Sequence, residues 1–255
     1  MIGRDKMVRN WISAIALAAS TLAPAYMARA DDTASTAAQH SPQAMTLARV
    51  IIPFDLFIAQ NRDSFVYGFD ATTKNDAQAQ ALFAAYPGVR EAIIATQLAE
   101  LESALTTEHP VLLDRFATHF EQTYTPAEIV TISNFLQTPL GQKVLRLEYI
   151  SIDQDQMLKA VTNGDGLTKS ESDQLNAQVP QKIFMQLTPT ERIQSTKFWM
   201  SATGRKLNAN SANVQEIVRL WLNGVTEQFE KSAADSVINT VREFIEKADS
   251  KAAGS

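Results

Sequence analysis

The sequence predicts an all-α fold, a helical bundle built from two repeated helical hairpin units plus a long C-terminal amphipathic helix. Three observations carry that expectation. Apolar residues recur at three- and four-residue steps through most of the chain, the string T-P-x-E announces a helix start twice, and a stretch of twenty residues returns 63 positions later. With 45% hydrophobic and 20% charged residues, 9 Gly and 9 Pro, the composition is that of a globular protein.

Residues 1–10 are short and basic, Ile12 to Leu22 is a mainly apolar run without charge, and Ala28-Arg29-Ala30 places small residues before Asp31. This is the layout of a secretory signal peptide over residues 1–30 with cleavage after Ala30. A permanent anchor needs about 20 apolar residues, and this run is shorter and meets Pro24. No later stretch reads as a span, so the mature chain is expected in the periplasm or secreted. Residues 31–44, DDTASTAAQHSPQA, are small and polar and read as a disordered tether. A helical domain is expected over 45–248 and a disordered tail over 249–255.

Within the domain, segment 45–70 has helical spacing interrupted at Pro53. The chain breaks at Tyr86-Pro87-Gly88, after which Val89, Ile93, Ile94, Leu98, Leu101 and Leu105 mark an amphipathic helix of roughly 18 residues. Leu112, Phe116, Phe120 and Tyr124 then lie at i, i+4, i+8 and i+12, one face of a second helix. It ends near Thr125.

The repeat follows. Residues 125–144 read TPAEIVTISNFLQTPLGQKV and 188–207 read TPTERIQSTKFWMSATGRKL, aligned without a gap and identical at six of twenty positions where unrelated sequence gives roughly one. The match extends upstream, with Leu112, Phe116, Phe120 and Tyr124 answered by Leu175, Val179, Ile183 and Leu187. The two units are expected over about 108–161 and 171–230.

Thr125 and Thr188 suit N-caps, Pro126 and Pro189 suit the first helical position where no amide donor is needed, and Glu128 and Glu191 at N3 complete capping boxes. About three turns on, Thr138 and Ser201 begin a second helix, so each unit reads as a hairpin with a tight corner. Gly141 and Gly204 suit a close approach of helices, and Phe135 and Phe198 are placed to fill the corner. Lys143 and Lys206 sit near helix starts, against the macrodipole. A partner carboxylate would explain that, and so would a solvated lysine whose stem covers the Phe. Beyond Gly204, Val214, Val218, Trp221, Val225, Phe229, Ala233, Val237, Val241 and Phe244 predict one long helix, or two joined near Asn223-Gly224.

The signal-peptide layout, the helical mature chain and the string T-P-x-E, six residues, F, two residues, [TS]-x-x-G-x-K resemble the exported bacterial proteins gathered as domain of unknown function 2059. The resemblance covers about half of the chain. It implies a helical exported protein of no assigned activity, with no catalytic or binding residues to carry over. The second copy departs from the pattern, with Ala202 where Pro139 stands and Pro180 within the upstream stripe.

Chemistry is sparse. Residues 31–255 carry 19 basic against 27 acidic side chains, which disfavours nucleic-acid binding. Zero Cys excludes disulfides, thiolate metal sites and a Cys nucleophile. His40 lies in the tether, and His109 and His119 form no zinc motif; His119 borders the Phe face as a packing residue. No serine-hydrolase, P-loop or dinucleotide fingerprint occurs. Asn163-Gly164-Asp165-Gly166 fails as a calcium loop because Val161 and Ser172 fall on ligand positions, and Asp153 and Asp155 cannot share a helix face. No catalytic, metal or cofactor residue is expected. The sequence therefore points to a non-enzymatic binding, adaptor or scaffold module, with an envelope protein partner or self-association. The alternative is a carrier of a lipid or other apolar ligand between its Phe-rich helices.

Overall fold

The computed structural model describes residues 40–151 and 177–253, with positions 168, 170 and 174 between them. Among the described residues every element is a helix. They are α1 (Pro42–Ile51), α2 (Phe54–Thr73), α3 (Ala77–Ala85), α4 (Val89–Thr123), α5 (Pro126–Leu136), α6 (Pro139–Ile150), α7 (Val179–Gln186), α8 (Pro189–Trp199), α9 (Ala202–Ala209) and α10 (Ser211–Ala253). The signal peptide, residues 31–39 of the tether, and the Asp153/Asp155 and Asn163–Gly166 motifs lie outside the described residues.

Local chemistry sets most boundaries. The Ser41 hydroxyl accepts the Ala44 amide to cap α1, and Pro53 divides α1 from α2. Asp76 caps α3 by accepting the amides of Gln78 and Ala79. Gly88 takes φ +93°, a left-handed turn that L side chains rarely adopt, and a Cβ there would lie 3.2 Å from the Phe244 ring. So the Tyr86-Pro87-Gly88 break is also a place where α10 comes close.

α4 and α10 form the spine. They run antiparallel: Gly88 faces Phe244, the hydroxyls of Thr96 and Thr240 bond at 3.0 Å, Ser236 donates to Glu100, and the Trp221 indole donates to the Glu108 carbonyl at 3.0 Å. At about 1.5 Å per residue the two helices are about 50 and 65 Å long. Two cores lie along them. One gathers Leu47, Phe57, Leu112, Phe116, Phe120, Ile129, Ile132 and Trp221, while the other gathers Phe65, Phe69, Val89, Ile93, Phe229, Val237 and Val241. The apolar stripe expected on the last helix is thus buried against the chain itself.

Several boundaries differ from expectation. His40 to Ala44 are not tether, because Ser41 starts a helix whose Ala44, Leu47 and Ala48 are fully buried. The two helices expected over 89–124 are one, since α4 continues through Pro110. The missing proline amide costs a bond, yet Leu105, Leu112 and Leu113 are buried on both sides of it and hold the helix in line. α10 reaches Ala253, so the tail expected from 249 is helical to that point. The run Pro42–Thr73 is, by length and composition, apolar enough to cross a bilayer, against the expectation that no later stretch is. Pro53 breaks it, and Ala44, Leu47, Phe57, Phe65 and Phe69 are buried in the two cores.

Candidate binding surface

Four short helices, α5–α6 and α8–α9, form two hairpins that meet face to face. Both capping boxes are present: Glu128 accepts the Thr125 amide at 2.8 Å, and Glu191 accepts the Thr188 amide at 2.8 Å. The corners follow the same local code. Thr138 and Ser201 cap the second helix by accepting the amides of Gly141 and Gly204, each at 3.0 Å. A Cβ on Gly141 would lie 2.2 Å from the Phe135 carbonyl oxygen, and one on Gly204 would lie 2.1 Å from that of Phe198. Only glycine lets the second helix lie this close to the corner behind it.

The contacts between the hairpins are reciprocal. Lys143 donates to both oxygens of Glu191 at 3.0 and 2.8 Å, and Lys206 donates to both oxygens of Glu128 at 3.1 and 2.9 Å. Each glutamate thus serves two roles, closing its own capping box and receiving the lysine of the other hairpin. Lys143, with the Thr188 amide, holds the Glu191 carboxyl down at about 2; Lys206, with the Thr125 amide, lowers that of Glu128. The two lysines are therefore paired, which removes the solvated-lysine alternative. Phe135 and Phe198 do not fill separate corners. Their rings stack on each other, centroids 3.8 Å apart and planes within 4°. The stack and the two ion pairs fix the orientation of one hairpin against the other.

Positions 63 apart then part company. In the first hairpin Ile129, Ile132 and Leu136 are buried in the core shared with α1 and α4. Their counterparts are Arg192, Ser195 and Trp199, and only Ser195 is buried. The second hairpin and α7 expose Phe184 at 47%, Met185 at 69%, Ile193 at 59% and Met200 at 63%, while the first hairpin exposes Val130 and, at its far end, Ile150. Ile193 and Lys197 of α8 and Met200 at its C-cap fall at i, i+4 and i+7 on one stripe. Arg192 ties this stripe to α7, donating to the carbonyls of Phe184 and Met185 and lying 4.9 Å over the Phe184 ring. Arg205 donates to the Met200 carbonyl at 2.6 Å and closes the other end.

Charge is distributed unevenly. Residues 177–210 hold five Lys or Arg (Lys182, Arg192, Lys197, Arg205, Lys206) against the single acid Glu191, whereas residues 40–151 hold seven basic against twelve acidic. Among the described residues only Lys206 of those five cations is paired with a carboxylate. A basic, apolar face therefore stands on an acidic protein.

The other candidates are less developed. An open groove of about 440 Å³ between α2 and α4 is lined by Val66, Ile94, Leu98, Arg62 and Glu102 among others. A second open hollow of about 500 Å³ lies beside Ile150, Lys182 and Met185. His40 is bound on both ring nitrogens, by Asp114 at 2.8 Å and Glu121 at 2.9 Å, and the Glu121 hydrogen bond leads in raising its pKa above 6.5. His109 and His119 are lowered by burial, and the His119 ring lies 5.8 Å from that of Phe120, a packing role as expected. No group of three or more potential metal ligands occurs among the described residues.

Residues 111–161 match the model of the family DUF2059, described as an uncharacterized protein conserved in bacteria. That segment takes in the end of α4, the whole first hairpin and the eleven residues after α6, and is shorter than the half of the chain that the resemblance covers. The DUF2059 match includes Phe135 and Lys143 but stops short of their partners Phe198 and Glu191. No curated protein and no solved structure matches the chain.

Proposed function

We propose that this is an exported, non-enzymatic binding module in which two copies of one hairpin unit pair about an approximate two-fold axis through the Phe135–Phe198 stack. The first copy anchors the pair in the core and the second presents the binding face. The single observation that carries this reading is the set Phe184, Met185, Ile193 and Met200, four large apolar side chains left about half or more exposed on a platform held by reciprocal ion pairs. Exposed apolar surface of this kind, rimmed by polar residues, marks interaction sites. The Phe-rich stripe favours this over the carrier, since Phe116 and Phe120 are fully buried with ring centroids 5.6 Å apart and fill the core themselves.

Fractionation of cells producing the full chain tests the reading. The expected result is a mature protein cleaved after Ala30 that sediments with the envelope, while a variant with Phe184→Ser, Met185→Ser, Ile193→Ser and Met200→Ser keeps its helical circular dichroism and moves to the soluble fraction. Identical partitioning of the two proteins overturns it.

A further inference from the structure

We propose that the face formed by α7, α8 and the start of α9 docks on an anionic lipid surface. The inference rests on the binding reading above and names its partner. Three observations on the same face carry it. Lys182, Arg192, Lys197 and Arg205 pair with no carboxylate among the described residues; Lys182, Arg192 and Arg205 instead donate to the backbone carbonyls of Ser151, Phe184, Met185 and Met200. Those backbone bonds hold Lys182, Arg192 and Arg205 in place without neutralising their charge. The apolar side chains between them are large and protrude, and Lys197 sits between Ile193 and Met200 on a single stripe. The remainder of the chain is acidic, so the net charge of −5 hides a local excess of the opposite sign.

That combination suits a membrane interface. Cations near an anionic bilayer gain attraction from its surface potential, while Phe, Ile and Met side chains enter the headgroup–acyl boundary. An acidic peptide would also answer the charge, but helical peptides are held in grooves. Lys182 and Met185 border one hollow at the edge of the face, while Phe184, Ile193 and Met200 line neither hollow and stand on open surface. The acidic body of the molecule is repelled by the same surface, so attachment is oriented through this one face.

The test is co-sedimentation of the mature chain with vesicles of phosphatidylglycerol and phosphatidylethanolamine, and with vesicles of phosphatidylcholine alone. Binding is expected to the first only, falling as salt is raised. Lys182→Gln and Lys197→Gln are each expected to weaken it about fivefold, and Met185→Ser with Met200→Ser to weaken it further with helicity unchanged. No binding to the anionic vesicles, equal binding to both kinds, or indifference to these substitutions overturns the proposal. The two readings fail separately. If wild type ignores vesicles but the four-serine variant still leaves the envelope fraction, the partner is an acidic protein and only the lipid assignment falls. If the variant and wild type partition alike in cells, the binding reading falls with it.

Discussion

The two hairpins differ in what surrounds them rather than in how they fold. Thr125 and Thr188, Gly141 and Gly204, Phe135 and Phe198, and Lys143 and Lys206 make matching bonds in matching places. Yet Ile129, Ile132 and Leu136 of the first are sunk under α1 and α4, while the second carries Arg192, Ser195 and Trp199 there and exposes Ile193 and Met200. The difference shows that a short local code can specify a hairpin independently of its burial. Once the fold is secured by caps, corners and the paired faces, the outer surface of one hairpin is released from packing.

Substitutions that treat the hairpins unequally should be the largest. Ile132→Ala removes a fully buried side chain and is expected to cost about 3 kcal/mol. The same exchange at Ser195, its counterpart, should cost well under about 1 kcal/mol. Urea unfolding midpoints at constant m measure both, and similar losses at the two sites would contradict the division of roles. Gly141→Ala and Gly204→Ala should instead be alike, each about 2 kcal/mol, because both corners bring a new Cβ against their own backbone. Thr125→Ala and Thr188→Ala should each cost about 1 kcal/mol through the lost cap, seen as equal shifts in thermal midpoint.

Two pH dependences sharpen the comparison. Glu191 is held at about 2 against an ordinary 4.5, so its contribution is complete above 4.5 and lost as pH falls toward 2. Glu191→Gln should remove that part of the acid sensitivity. His40 has the opposite sign. Its pKa is raised above 6.5, so the clasp to Asp114 and Glu121 is complete below 6.5 and weakens as pH rises through the raised value, where a neutral ring can donate only one of its two bonds. His109 and His119, lowered by burial, contribute stability that is lost as pH falls below 6.5. The difference between wild type and His40→Gln therefore isolates the clasp, and a difference that does not shrink with rising pH would contradict it.

Much of this was legible in the sequence because it is local. A capping box needs residues three apart, a corner needs its glycine three after its cap, and an amphipathic stripe needs only its period. What was hidden depends on partners far along the chain. The Lys143–Glu191 and Lys206–Glu128 pairs join residues 48 and 78 apart, and nothing in either hairpin alone says that its lysine serves the other. The continuity of α4 through Pro110 reflects core packing that overrides a local breaker. His40 looked like tether because its partners Asp114 and Glu121 lie 74 and 81 residues away. The basic, apolar face could have been noticed as a local excess of Lys and Arg over 177–210, but its exposure is set by packing between elements far apart in the chain.

The division of roles between the hairpins is tested most directly by placing a photo-crosslinking side chain at Val130 in one protein and at Ile193 in another. These counterparts are both exposed, at 42% and 59%, and neither substitution enters the core. Irradiation of producing cells should yield adducts to lipid or protein from position 193 and little from position 130. Equal yields from the two positions, or adducts from 130 alone, would contradict the account.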